Sequence, residues 1–228
     1  MSTTLDKYYI MKLSEILRES ILDEYSDTDP AIVDHLIDKG YKQIGQGVDQ
    51  TAFLEPETGL VLKIFGTQNN VSLAPNDENT KPIFSKEHMM FFRWAKYCNN
   101  HKSNPFLPKF SGFESFYWNG HVYIQMRQER LNSIGAIGKL CKEMADRAMA
   151  NESFEDVAQT LTYPVWGYKN SWDKLLNILG PRGVHVFYKT IVRLNDIANQ
   201  MGYELDLHGY NFMARADGTP VIIDPWIV

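Results

Sequence analysis

The sequence predicts an α+β protein built as two lobes, and three observations carry that expectation. Up to about residue 130, short apolar runs alternate with Gly, Pro and Asn turns, as strands do. Beyond that point apolar residues recur at helical spacing over long stretches. The last segment then returns to a strand–turn–strand pattern. A chain of 228 residues is large enough for one substantial domain or for two small lobes sharing a cleft. Its 44% hydrophobic and 22% charged residues are those of an ordinary soluble globular protein.

Bulk properties give no support to several partners. The net charge of −5, with no run of Lys and Arg, gives no electrostatic reason to expect nucleic acid or an anionic membrane. The two cysteines, Cys98 and Cys141, make neither a metal-ligand spacing nor a disulfide framework, which fits a reducing cytosol. No apolar run approaches a membrane span, and the start lacks a signal-peptide pattern. A cytoplasmic protein is expected.

The elements follow in order. Ile10, Leu13, Ile16, Leu17 and Ile21 recur at the spacing of a first helix. Ser26-Asp-Thr-Asp-Pro30 breaks it and starts a second, which carries Ile32, Val33, Leu36 and Ile37 and stops at Gly40. Tyr41 to Ile44, Thr51 to Leu54 and Leu60 to Phe65 are expected as strands, with turns at Gly45-Gln-Gly47 and Pro56-Glu-Thr-Gly59. Polar residues 66–82 predict a loop. A helix is expected from about Ser85 to Asn99, then strands Phe110 to Phe113 and His121 to Met126, with Asn119-Gly120 as the hairpin turn preceding the second. Helices are expected over 132–149, 153–161, 171–179 and 183–201, the last ending at Gly202. These elements divide the chain into a helical extension over 1–40, a strand-rich lobe over 41–130 and a helical lobe over 131–228.

The chemistry concentrates near the end. Asp206-Leu-His-Gly-Tyr-Asn211 places a carboxamide five positions after a carboxylate, and Asp224 follows eighteen positions after Asp206. Between them, Asn211 to Arg215 and Pro220 to Ile223 flank an Asp217-Gly218 turn, a hairpin signal. Such a hairpin sets Asn211 beside Asp224, and both are good oxygen ligands for Mg²⁺. Local turn chemistry would account for Asp206 and Asn211 alone. It does not account for Asp224, a carboxylate between Val-Ile-Ile and Pro-Trp. His208 is expected to orient the loop backbone or to contact the last hairpin. The other histidines share no ligand spacing, and Trp94, Trp166 and Trp172 are expected in the core or between lobes.

Three further candidates precede it. Gly45 and Gly47 would let backbone N–H groups approach phosphate oxygens, although an isolated Gly-x-Gly is more often a plain turn. Lys63, inside the apolar run Leu60 to Phe65, is costly to bury unless paired, or else lies on an edge with its head in water. Glu87 is a natural partner for it, with Glu78 and Glu114 as alternatives, although taken alone Glu87 reads as a solvent-facing acid favoured by the helix N-terminus.

In this order the residues resemble the protein-kinase-like superfamily: a Gly-rich loop, a strand lysine, a helix glutamate, an Asp with Asn five residues on, and a metal-binding Asp. The Asp-Leu-His-x-x-Asn and Ile-Asp-Pro forms are more similar to aminoglycoside phosphotransferases and atypical kinases. The resemblance runs from about Tyr41 to the end of the sequence. It implies a two-lobed fold with an antiparallel-sheet N-lobe, a truncated helical C-lobe and an N-terminal helical extension. It implies ATP and Mg²⁺ as cofactors, with Gly45, Gly47, Lys63, Glu87 and Met126 lining the nucleotide and Arg127 to Arg130 as the hinge. Asn211 and Asp224 would hold the metal, and Asp206 would act on a hydroxyl acceptor, protein or small molecule.

Departures from the pattern shape the alternatives. The loop lacks its third glycine, Glu204 stands where many kinases have His, and no Phe-Gly follows Asp224. The sequence ends at Val228, leaving no activation segment, Ala-Pro-Glu motif or peptide-docking helices, so a minimal C-lobe is expected. A catalytically weak or inactive kinase-fold regulatory protein is the alternative to the enzyme. Transfer of the nucleotidyl group, with the nucleotide reversed, would use the same residues.

Overall fold

The computed structural model describes residues 28–46, 50–66, 86–119 and 121–227. It is a mixed α+β structure, with five helices among the described residues and an antiparallel main sheet. The chain divides into two compact units. One holds residues up to Asn100 together with Lys109–Arg130, and the other holds His101–Pro108 and Leu131–Val228. The first predicted helix, over Ile10 to Ile21, lies outside the described residues.

The first unit is a five-stranded antiparallel sheet in the order β1-β2-β3-β5-β4, from Lys42–Gln46, Gln50–Leu54, Val61–Gly66, Phe110–Trp118 and His121–Gln128 in chain order. Helix α1 (Pro30–Asp38) precedes it. The Asp29 side chain accepts from Ala31 N at 2.8 Å and Pro30 occupies the first turn, so the helix starts where the sequence breaks. Gly40, at φ +85°, supplies the left-handed residue that ends it. Alternation along the strands sends Phe53, Leu62, Ile64 and Tyr123 to one face, where Ile32 of α1 packs with them. Phe65 turns to the other face and meets Phe91 and Phe92 of helix α2 (Lys86–Asn100), with ring centroids 5.0 and 5.5 Å apart. The described helix of the expected N-terminal extension is thus one cover of this sheet rather than an appendage.

One buried polar cluster fixes an end of that sheet. Glu55, only 6% exposed, accepts from the Tyr41 hydroxyl at 3.0 Å, from the Thr58 hydroxyl, and from Arg127 Nε and Nη2 at 3.2 Å. Burial pushes its carboxyl up, but the hydrogen bonds from Thr58, Arg127 and Tyr41 outweigh burial and hold it below the ordinary value. Arg127, expected in a hinge, therefore belongs to the sheet. Strand β4 runs through to Trp118 rather than stopping at Phe113, with a bulge between Ser111 and Glu114 where Gly112 takes φ +60°.

The second unit is helical. Helices α3 (Ile137–Met149), α4 (Phe154–Thr162) and α5 (Lys169–Met201) bury apolar stripes: Leu140, Cys141, Met144, Ala145 and Ala148 on α3, and Val184, Phe187, Ile191, Leu194 and Ala198 on α5. The predicted break in α5 is a kink, with Gly180 at φ +66° before Pro181. The predicted helix over 132–149 starts late. Asn132–Ser133 forms strand β6, opposite Ala214 and Met213, and Gly135 at φ +60° separates it from α3. Apolar periodicity could not see this, because a two-residue strand is made by its partner. Of the three tryptophans expected in the core or between lobes, Trp94 and Trp172 are buried, whereas Trp166 is 54% exposed with the Arg147 guanidinium 5.8 Å from its ring.

Candidate functional site

Helix α5 delivers the chain to the loop that carries Asp206. Gly202, at φ +71°, ends the helix, and strand β7 (Glu204–Leu205) then pairs with the final strand β10 (Trp226–Ile227). Trp226 is buried and donates Nε1–H to Leu194 O at 3.3 Å, which anchors that pairing to α5. One residue beyond the ladder, Asp206 N–H donates to Pro225 O at 2.7 Å. On the other side, β8 (Phe212–Ala214) and β9 (Pro220–Ile222) form the predicted hairpin, Phe212 opposite Ile222. Its open end continues with Ile223 N–H donating to Asn211 O at 2.8 Å.

Asp224 is therefore flanked by two backbone bonds, one to Asn211 through Ile223 and one to Asp206 through Pro225. A third bond closes the arrangement. Asn211 Nδ2 donates to Asp206 O at 2.6 Å. With its amide nitrogen so engaged, Asn211 has Oδ1 left as its ligand atom. Asp224 sits at φ +48°, a left-handed conformation held just before a proline. Non-glycine residues kept there cost roughly 1–3 kcal/mol and cluster at functional sites. The structure brings together the three residues of the second unit that the sequence singled out.

His208 caps the short 3₁₀ turn Gly209–Asn211, its Nδ1 accepting from Tyr210 N at 3.3 Å. That is the backbone-orienting role expected from sequence. What spacing could not reveal is that His208 Nε2 also lies 3.5 Å from Asp206 Oδ2. Tyr210 is 89% exposed beside it.

No protein-family model matches this chain, and no curated protein matches it either. The site is therefore read from its own residues. Among the described residues no three His, Cys, Asp or Glu side chains converge on one point as a metal cage. A carboxylate and a carboxamide oxygen suit Mg²⁺, which keeps waters and takes phosphate oxygens alongside one or two protein ligands. They do not suit a tetrahedral Zn²⁺ site, which needs sulfur or imidazole donors.

In the first unit, four candidate or neighbouring positions fall in one row across the sheet. Gly45 pairs with Ala52, Ala52 with Lys63, and Lys63 with Met126. Lys63 Nζ lies 4.6 Å from the Phe91 ring centroid, a cation–π distance that compensates part of the cost of its half-burial. Gly45 has no positive φ, and a Cβ there would meet only Ala52 Cβ at 3.9 Å, so the fold does not require glycine. Gly47 and the Glu87 side chain lie outside the described residues, so the expected Lys63–Glu87 pair does too. Glu114, the alternative partner, is engaged by Gln125 Nε2 at 2.7 Å.

A separate groove of about 440 Å³ is lined by Phe154, Glu155, His185, Lys189, Arg193 and Asp196. None of the candidate residues lines it, and His185 is stacked on Phe154 at 4.6 Å.

Proposed function

We propose that this chain is an ATP- and Mg²⁺-dependent phosphotransferase of the protein-kinase-like class, moving the γ-phosphoryl group to a hydroxyl on a protein or a small molecule. The observation that carries the reading is the three hydrogen bonds that tie Asp206 and Asn211 to each other and to Ile223 and Pro225, the neighbours of Asp224, with Asp224 held in a strained conformation. Further support comes from the antiparallel sheet with Lys63 on its third strand, the helix bearing Glu87 next in the chain, and the long helix that delivers Asp206.

On this reading Asn211 Oδ1 and the Asp224 carboxylate are the protein ligands of Mg²⁺, which supplies charge neutralisation on the transferring phosphate. Lys63 contacts the nucleotide phosphates. Asp206 accepts the proton of the acceptor hydroxyl as that oxygen bonds to the γ-phosphorus and the β–γ bridging bond breaks, leaving ADP. Exposure of Tyr210 keeps the Asp206 loop open to an acceptor.

Mass analysis of the purified protein and candidate acceptors after incubation with ATP and Mg²⁺ tests the reading directly. A mass gain of one phosphate, absent in Asp224→Ala, is the expected result. Gain of a nucleotidyl group would instead make the enzyme a nucleotidyl transferase. A regulatory protein of the same fold is the rival, favoured by the missing third glycine at Val48-Asp-Gln50. Thermal shift separates the two, because a ligand of the native state raises apparent stability by RT ln(1 + [L]/Kd). No shift at millimolar ATP with Mg²⁺ would remove the nucleotide from the account.

A further inference from the structure

We propose that His208 is a positioning residue for Asp206, selecting which carboxylate oxygen faces the acceptor hydroxyl; the assignment rests on the phosphotransferase reading. The backbone of Asp206 is already pinned at both ends, its N–H on Pro225 O at 2.7 Å and its O on Asn211 Nδ2 at 2.6 Å. Only rotation within the side chain, which is 31% exposed, remains free. A base whose carboxylate can turn loses the alignment that proton transfer needs.

The His208 ring is held so as to restrain that rotation. Its Nδ1 accepts from Tyr210 N at 3.3 Å, and its ring meets Tyr210 edge-on at 5.9 Å and 72°. Its backbone oxygen accepts from Asn211 N at 2.9 Å, tying the same residue to the metal-ligand side of the loop. A neutral imidazole that accepts at Nδ1 carries its hydrogen on Nε2. That nitrogen is 3.5 Å from Asp206 Oδ2, a little beyond a formed hydrogen bond and closed by a small movement of two half-exposed side chains. The N–H then occupies Oδ2 and leaves Oδ1 to receive the acceptor proton.

Two substitutions divide the roles of the two ring nitrogens. Asn at 208 reaches where Nδ1 is and keeps the cap on Tyr210; Gln reaches where Nε2 is and keeps the Asp206 contact. His208→Asn should lower kcat about tenfold or more with KM for ATP unchanged, while His208→Gln stays within about threefold of wild type. The reverse order, or wild-type kcat in His208→Asn, would overturn the assignment and make His208 a cap alone. Should either variant fail to fold, long-range ¹H–¹⁵N spectra of the wild-type protein in mildly alkaline buffer decide the point. An Nε2–H tautomer at His208 is expected, and an Nδ1–H tautomer excludes the proposed contact. Wild-type protein that transfers no phosphate would remove the enzymatic reading itself, whereas active wild type with an unaffected His208→Asn would remove only the role of His208.

Discussion

Asn211 donates its side-chain N–H to the backbone oxygen of Asp206 at 2.6 Å, so the residue read as a metal ligand also holds the loop that carries Asp206, the residue read as the base. The two functions need different atoms of one carboxamide. Nδ2 donates inward, and Oδ1 is the atom left for a metal on the phosphotransferase reading.

That division makes Asn211→Asp informative. The carboxylate adds oxygen for Mg²⁺ but cannot donate to a carbonyl, leaving Asp206 O without its donor. Loss of about 1–3 kcal/mol of stability is expected, as for other unsatisfied polar groups, together with loss of phosphoryl transfer. Urea denaturation and a transfer assay on the same sample check it. Full activity in Asn211→Asp would show that the inward bond is dispensable.

Asp224 should show function opposed to stability. Glycine at 224 relieves the left-handed strain, worth about 1–2 kcal/mol, and offsets roughly half of it by its greater freedom when unfolded. Asp224→Gly is expected to match wild-type stability or exceed it by up to about 1 kcal/mol, while abolishing Mg²⁺-dependent nucleotide binding. Melting curves with and without ATP and Mg²⁺ measure both. A strongly destabilised Asp224→Gly would mean that the carboxylate is there for packing.

Gly45→Ala separates fold from site in the first unit. With ordinary φ and 3.9 Å of space, alanine should fold as well as glycine or better by about 0.5–1 kcal/mol. If the backbone near Gly45 approaches phosphate, the same variant should bind ATP more weakly. Equal ATP affinity in wild type and variant would leave Gly45 as an ordinary strand residue.

The Glu55 cluster contributes to acid stability. Its carboxyl titrates below the ordinary value of 4.5 when folded, so the unfolded chain binds the proton more readily. Stability from this group is complete above about pH 4.5 and is lost as pH falls through the lower folded value. Glu55→Gln should flatten that acid limb of a stability–pH curve. Arg127→Ala should cost about 1.5–3 kcal/mol at neutral pH, because it leaves a buried carboxylate with only Tyr41 and Thr58. Denaturation midpoints from pH 3 to 8 compare the variants with wild type.

Much of the local structure was legible in the sequence because local residues decide it. Asp29-Pro30 and Gly40 bound α1, Gly202 ends α5, and Asp217-Gly218 turns the last hairpin, each through backbone preferences that neighbours do not alter. The hairpin register followed from that turn, and with it the bond from Ile223, the residue before Asp224, to Asn211. Sequence by itself thus determined the α+β class and the residues most worth testing.

Tertiary structure decided what links them. Pairing of β7 with β10 joins residues far apart in the chain, and only it places Pro225 O on Asp206 N. Arg127 reads as a hinge residue until Glu55, 72 positions away, is seen beneath it. His101–Pro108 reads as a connection between a helix and a strand of one unit, yet it joins the other. There Phe106 O accepts from Ile222 N at 2.9 Å, and Arg215 bonds the oxygens of Pro105 and Leu107. Short strands, buried ion pairs and crossing segments have no periodicity of their own. Their energy comes from the distant partner, and a pattern read along the chain cannot register it.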